Sequence, residues 1–156
     1  MPRRFLVIVA VLATLGLAAC GAGGSDAKDP STIEIGNSPL GDILVDGNGH
    51  TLYMFTVDGD DADASKCVGT CQKLWPRVKG EPKAGEGVDP SLIGATTGDG
   101  APQTTYAGHP LYYYDKDESA GEVTGQGVGK VWYVLDGKGV AITKTPPTPG
   151  TGGGGY

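Results

Sequence analysis

Gly49-His50-Thr51-Leu52-Tyr53-Met54-Phe55 recurs, with changes, as Gly108-His109-Pro110-Leu111-Tyr112-Tyr113-Tyr114, 59 residues further along the chain. The correspondence continues to Asp58 and Asp117. After a gap of two it pairs Lys73 with Lys130 and Trp75 with Trp132. A duplicated unit of 57–59 residues is the simplest account. Each copy reads as β-structure. Ile43-Leu44-Val45, the turn Asp46-Gly47-Asn48-Gly49 and Thr51 to Phe55 carry a hairpin signal. Thr104-Thr105-Tyr106, Ala107-Gly108 and Leu111 to Tyr114 carry a second. Val131 to Leu135, Asp136-Gly137-Lys138-Gly139 and Val140 to Thr143 carry a third. Side chains alternate along a strand, so Leu52, Met54, Leu111 and Tyr113 should face one side. Tyr53, Phe55, Tyr112 and Tyr114 should face the other. Both sets are large and apolar, so both faces call for cover. One short helical turn is expected near 70–76, running Cys71 to Trp75 with Thr70 as N-cap and Pro76 closing it. The expected fold is all-β: two similar antiparallel units in tandem, packed as one domain by pseudo-symmetry. Glycine at 28 of 156 positions suits a chain this dense in turns.

Outward from the repeats, the termini carry different information. Arg3 and Arg4 precede 13 uncharged residues, Phe5 to Leu17, and then Leu17-Ala18-Ala19-Cys20. A basic start and a short apolar run make a secretory signal peptide over 1–19, too short for a membrane span of about 20 residues. Small residues before a cysteine match the bacterial lipobox, in which diacylglycerol alkylates the Cys20 thiol and cleavage follows before it. Lipidation at Cys20 (with palmitate-type chains) would then hold the protein to the outer face of a membrane, since two or three acyl chains anchor firmly. Residues 20–32 read as a flexible tether, 33–144 as the β-rich repeat domain and 145–156 as a disordered Pro/Gly-rich tail. Repeat one covers about 40–80 and repeat two about 100–143. Cleavage removes two of the 12 basic residues and none of the 18 acidic ones, leaving a net charge of −8. A chain that acidic repels nucleic acid and anionic headgroups, so neither is an expected partner. A protein or small-ligand partner is not named by any motif.

Tyr53-Met54-Phe55-Thr56-Val57-Asp58 and Tyr112-Tyr113-Tyr114-Asp115-Lys116-Asp117 both fit Tyr-x-aromatic-x-x-Asp. Two copies in a short lipoprotein resemble the bacterial secreted-repeat family, predicted lipoproteins common in actinobacteria. Cys67 and Cys71 followed by Trp75-Pro76 resemble it too, as does Gln103 to Tyr112. The resemblance covers nearly all of 40–140 and departs at Arg77, where a second proline is expected. It implies a location in the cell envelope and a repeat fold, and brings no activity with it.

The residues able to carry chemistry are few, and no enzyme activity and no cofactor is expected. With Cys20 lipidated, Cys67 and Cys71 remain in an oxidising compartment, and a disulfide across three residues is the expected state. The alternatives are dithiol redox exchange or a copper-type site in which the two thiolates join His50 or His109, with Met54 assisting. His50 and His109 occupy equivalent positions after a turn glycine and read as partly exposed turn residues; the alternative is a two-His site across the pseudo-dyad. Tyr53, Asp58, Tyr112 and Asp117 either hold the repeats together, the aspartates capping turns, or make a ligand site. Asp58 to Asp63 lacks the closing Glu of an EF-hand and reads as a solvated loop.

Overall fold

Strands β3 (Tyr53–Phe55) and β7 (His109–Tyr112) pair antiparallel at the centre of the molecule, with Tyr53 opposite Tyr112 and Met54 opposite Leu111. The computed structural model describes residues 29, 31–60, 63–98 and 102–146. The signal segment and Cys20 lie outside them, as do most of the tether and the tail. Because Tyr53 and Tyr112 are the equivalent residues of the two copies, a pseudo-two-fold axis runs between them. The surrounding hydrogen bonds obey it. Thr56 N donates to Val131 O at 2.9 Å, and its counterpart Asp115 N donates to Leu74 O at 2.9 Å. Strand β8 (Trp132–Val134) pairs with β3, Phe55 opposite Trp132 and Tyr53 opposite Val134. Its counterpart, the segment after Trp75, meets β7 through a bridge between Arg77 and Tyr112. The backbone at Arg77 is thus extended, and the missing proline costs no turn.

The flanking strands follow the same scheme. Strand β1 (Thr32–Ser38) makes a tight hairpin with β2 (Gly41–Asp46), Glu34 opposite Val45. In the second copy, β5 (Ile93–Ala95) pairs with β6 (Thr104–Tyr106), Gly94 opposite Thr105. One sheet runs β5-β6-β7-β3-β8 and the other β2-β1-β4, where β4 (Lys83–Ala84) pairs parallel with β1. Among the described residues that parallel contact is the one exception to the expected antiparallel pairing. Hydrogen bonds before β1 reach back to Asp29, whose Oδ1 accepts from Ser31 N at 3.0 Å and whose carbonyl accepts from Thr32 N.

Turn chemistry explains the hairpins. Asp46 and Asp136 stand at the head of matching Asp-Gly-x-Gly turns. Asp46 Oδ1 accepts from Asn48 N and His50 N at 2.9 Å, and Asp136 Oδ1 from Lys138 N and Val140 N at 2.9 Å. Between β6 and β7 the two-residue loop has φ +49 at Ala107 and +83 at Gly108, the primed turn whose twist matches a hairpin. The first and third expected hairpins are each reduced to a bridge, Val45 with Thr51 and Leu135 with Ala141, with two flanking hydrogen bonds apiece, and β2 and β3 lie in different sheets.

Alternation then builds two cores. Tyr53, Tyr112 and Tyr114, with Phe55 beside them, pack on one face with Ile43, Val45, Trp75 and Trp132. Leu52, Met54 and Leu111, with Tyr113, pack on the other with Ile33, Leu44, Val78 and Tyr106. Both faces of the central strands are covered, as their apolar content required. The helix is α1 (Thr70–Leu74), and its N-cap position is Gly69, not Thr70. Gly69 has φ +61, which suits it to the entry, and Thr70 already sits in the first turn without capping. In the second copy a 3-10 turn, Val128–Lys130, replaces α1 before the matching tryptophan.

Candidate functional site

The motif residues meet across the pseudo-axis. Tyr53 donates its hydroxyl proton to Asp117 Oδ2 at 2.5 Å, and Tyr112 donates to Asp58 Oδ2. Each copy's tyrosine therefore closes on the other copy's aspartate. The second carboxylate oxygens hold local backbone: Asp58 Oδ1 accepts from Lys66 N at 2.7 Å, and Asp117 Oδ1 from Thr124 N at 3.0 Å. Both aspartates also end tight turns, with Asp58 N donating to Phe55 O and Asp117 N to Tyr114 O, each at 3.0 Å. The phenol oxygens have further neighbours. Gly125 N donates to Tyr53 at 3.2 Å, and Ser65 Oγ lies 2.6 Å from Tyr112. A Cβ at Gly125 would come within 2.8 Å of the Trp75 ring and 3.0 Å of the Tyr53 ring, so only glycine lets the backbone approach.

The electrostatics follow from this burial. Tyr53 and Tyr112 are both 0% exposed, and Asp58 is buried. Burial, then the bond to Asp117 and its charge, pushes the Tyr53 phenol far above its ordinary value. Burial first and the bond to Asp58 second do the same to Tyr112. A neutral phenol donating to an ionised carboxylate is the stable arrangement. Both phenol protons are committed to carboxylates, Tyr53 to Asp117 and Tyr112 to Asp58. Asp58 is also not part of a solvated loop, as the sequence suggested. Its carboxylate turns inward because Tyr112 is there to bind it.

Around the clasp, aromatic rings stack through the axis. Trp75 and Trp132 are parallel at 3.8 Å between centroids. Phe55 continues the stack beyond Trp132 at 4.2 Å, and its counterpart Tyr114 continues it beyond Trp75 at 4.2 Å. Cys67 and Cys71 form a disulfide with Cα atoms 5.3 Å apart, and Cys67 is wholly buried in the same cluster. The bridge ties the entry of α1 to the core just ahead of Trp75.

The histidines go to different carboxylates. His50 Nδ1 lies 3.4 Å from Asp46 Oδ2, and His109 Nδ1 lies 3.7 Å from Asp60 Oδ1. Tyr113 donates to the same Asp46 oxygen at 3.3 Å. Among the described residues no group of three His, Cys, Asp or Glu side chains is placed to hold a metal ion. The structure therefore brings Tyr53 to Asp117 and Tyr112 to Asp58, and does not gather Cys67, Cys71, His50 and His109. Reading the sequence missed that the partners are exchanged between copies. It also missed Ser65 and Gly125, for which no motif gives a signal.

Among the described residues no helix is long and apolar enough to cross a membrane. No curated protein and no solved structure matches the chain. A family model does, twice, over residues 34–79 and 94–136. Those limits begin each copy within β1 or β5 and end it after the extended segment at or just beyond the tryptophan. The description of that family, and the two-fold duplication seen in the backbone, agree: the chain belongs to the family described as a secreted repeat of unknown function, an extracytoplasmic module made of two copies.

Proposed function

We propose that this protein is an exported lipoprotein of the cell envelope, cleaved before Cys20 and anchored to the outer face of a membrane by lipid there. Its β body acts as a non-catalytic binding module. The family's secreted character and the lipobox support the first part. The observation that carries the second is the crossed clasp. The groups best suited to acid–base chemistry, Tyr53, Asp58, Tyr112 and Asp117, are spent on each other inside the fold. The Tyr-x-aromatic-x-x-Asp motif is then the signature of this clasp rather than of a ligand site. The net charge of −8 after cleavage argues for attachment by lipid and against nucleic acid as a partner. Membrane fractionation with lipid labelling tests the anchor. Wild type should label and sediment with membranes, and Cys20→Ser should stay unlabelled and be soluble or unprocessed. A mutant that still takes up label defeats the assignment.

A further inference from the structure

Beside α1 an otherwise acidic chain gathers cations. Lys73 in the last turn of α1, and Arg77 and Lys79 on the segment after Trp75, line one cleft of about 810 Å3 together with Gln72, Pro76 and Tyr113. Among the described residues no carboxylate lines it. Among the described residues none of the three cations has an acidic partner in an ion pair. Elsewhere lysine does find one, as Lys83 does in Asp29 at 3.7 Å.

The backbone explains why the charges converge. The segment is extended, bridged to Tyr112 at Arg77 and to Gln103 at Lys79. Alternate residues share a face, so Arg77 and Lys79 project together while Val78 between them is buried in the opposite core. Gln72 fixes the guanidinium. With its amide oxygen toward Arg77 it accepts from Nε at 2.5 Å and from Nη2 at 3.0 Å, which leaves Nη1 free to meet an anion. Tyr113 is held through its hydroxyl by Asp46, so its ring is fixed at the cleft wall.

The repeat supplies an internal control. With Trp75 aligned on Trp132, the counterparts of Lys73, Arg77 and Lys79 are Lys130, Val134 and Asp136. Val134 is buried and Asp136 carries the opposite charge. The architecture therefore does not need a cation at Arg77 or Lys79; of the three, only Lys73 has a cationic counterpart, Lys130, in the second copy.

We propose that this cleft binds a sugar phosphate. Arg77, Lys73 and Lys79 take the phosphate, and the Tyr113 ring with Pro76 lies against the sugar. The volume supports a ligand larger than a bare anion, because small-molecule sites run from about 300 to 1,000 Å3. The fixed guanidinium supports phosphate, to which its free Nη1 can donate a charge-assisted bond beside the two ammonium groups. This inference rests on the reading of the body as a non-catalytic binding module and names its ligand class.

The test is calorimetric titration of the full chain in non-ionic detergent with glucose 1-phosphate, glucose, inorganic phosphate, and vesicles with and without phosphatidylglycerol. Glucose 1-phosphate should bind at least about tenfold more tightly than either glucose or inorganic phosphate, one charge-assisted bond being worth about that factor. Arg77→Gln with Lys79→Gln should weaken it by about tenfold or more, and so should Lys73→Gln with Lys79→Gln, which alters exposed lysines only. Lys116→Gln with Lys130→Gln removes the same charge away from the cleft and should change affinity less than about twofold. Equal loss in all three pairs would reduce the effect to net charge and overturn the site. Inorganic phosphate binding as tightly as the sugar phosphate would overturn the sugar contact, and binding only to phosphatidylglycerol vesicles would make the cleft a membrane contact. No binding at all removes the site and leaves the anchored, non-catalytic module standing. Phosphate release in a phosphorus NMR spectrum would instead sink the non-catalytic reading.

Discussion

Tyr53 and Tyr112 are single residues whose value lies in whom they touch. If the clasp crosses between copies, energetic coupling should cross too. A double-mutant cycle of Tyr53→Phe with Asp117→Asn should show coupling of about 1–3 kcal/mol, since a buried bond to a charged acceptor is lost. The same cycle of Tyr53→Phe with Asp58→Asn, the aspartate of its own copy, should show coupling near zero. Urea unfolding of the three single and two double mutants beside wild type measures both, and equal coupling within and between copies would refute the exchange. The phenols also set an alkaline limit. Both titrate above their ordinary value of about 10 when folded. Below about pH 10 they are protonated in either state, and their contribution is fully present. As pH rises past that value the unfolded chain releases protons that the folded chain keeps, so stability falls until the folded phenols titrate. Each contributes a slope of up to about 1.4 kcal/mol per pH unit. Tyr112→Phe should therefore lower stability at pH 7 yet flatten its decline between about pH 10 and 12. An unchanged slope in stability measured against pH would count against this account.

At the scale of elements, the disulfide and α1 serve one task, seating Trp75. The second copy seats Trp132 with a 3-10 turn and no cysteine, so the bridge is a local reinforcement. Replacing Cys67 and Cys71 by alanine should cost about 1–3 kcal/mol, the scale for so short a loop, and leave the fold intact. Alanine is the better probe than serine at Cys67, where a hydroxyl would be buried. Near-ultraviolet circular dichroism at 20 °C should match wild type while the melting temperature falls; loss of the tryptophan signal at 20 °C would mean the bridge is essential. The elements also divide by how legible they were. The alternation of Leu52 to Phe55 and Leu111 to Tyr114 located the central strands and both core faces, because each of those side chains is large and period two is unambiguous. Strand β1 carries a weaker signal: Thr32-Ile33-Glu34-Ile35 alternates, but Gly36-Asn37-Ser38 beyond it has the composition of a loop. Strand β5 has only Ile93-Gly94-Ala95 to announce it. Its extended form comes from pairing with β6, which no local pattern carries. The clasp was half legible: the motif marked the four residues, and the choice of partner depends on long-range register. The cationic cleft was invisible, since Lys73, Arg77 and Lys79 converge only once α1 ends and the chain extends along β7.

For the whole molecule, the duplication means that neither copy is a complete fold. Strand β3 has β8 on one side and β7 on the other, and both belong to the second copy. Strand β7 lies between β6 of its own copy and β3 of the first. Cutting between copies breaks the β3–β7 pairing, both Tyr–Asp bonds and the Trp75–Trp132 stack together. What stays with the first copy is chiefly the β1–β2 hairpin with β4, and with the second the β5–β6–β7 strands and a detached β8. Isolated hairpins are marginal in water, and each half exposes an aromatic face made for its partner. Residues 31–88 and 89–146, produced separately, should therefore each be unfolded at micromolar concentration. Mixed in equal amounts they should recover the fold, because every lost contact is intermolecular in the split protein and needs no covalent link. The parallel stack of Trp75 and Trp132 offers a specific reporter, since two indoles at 3.8 Å couple only when both halves are in place. Its near-ultraviolet dichroism should be absent from either half and return on mixing, and it should fail to return when one half carries Tyr53→Phe and the other Tyr112→Phe at the same low concentration. If either half alone gives a dispersed, monomeric NMR spectrum, the copies are independent units and the crossed clasp is an ornament on folds that stand without it.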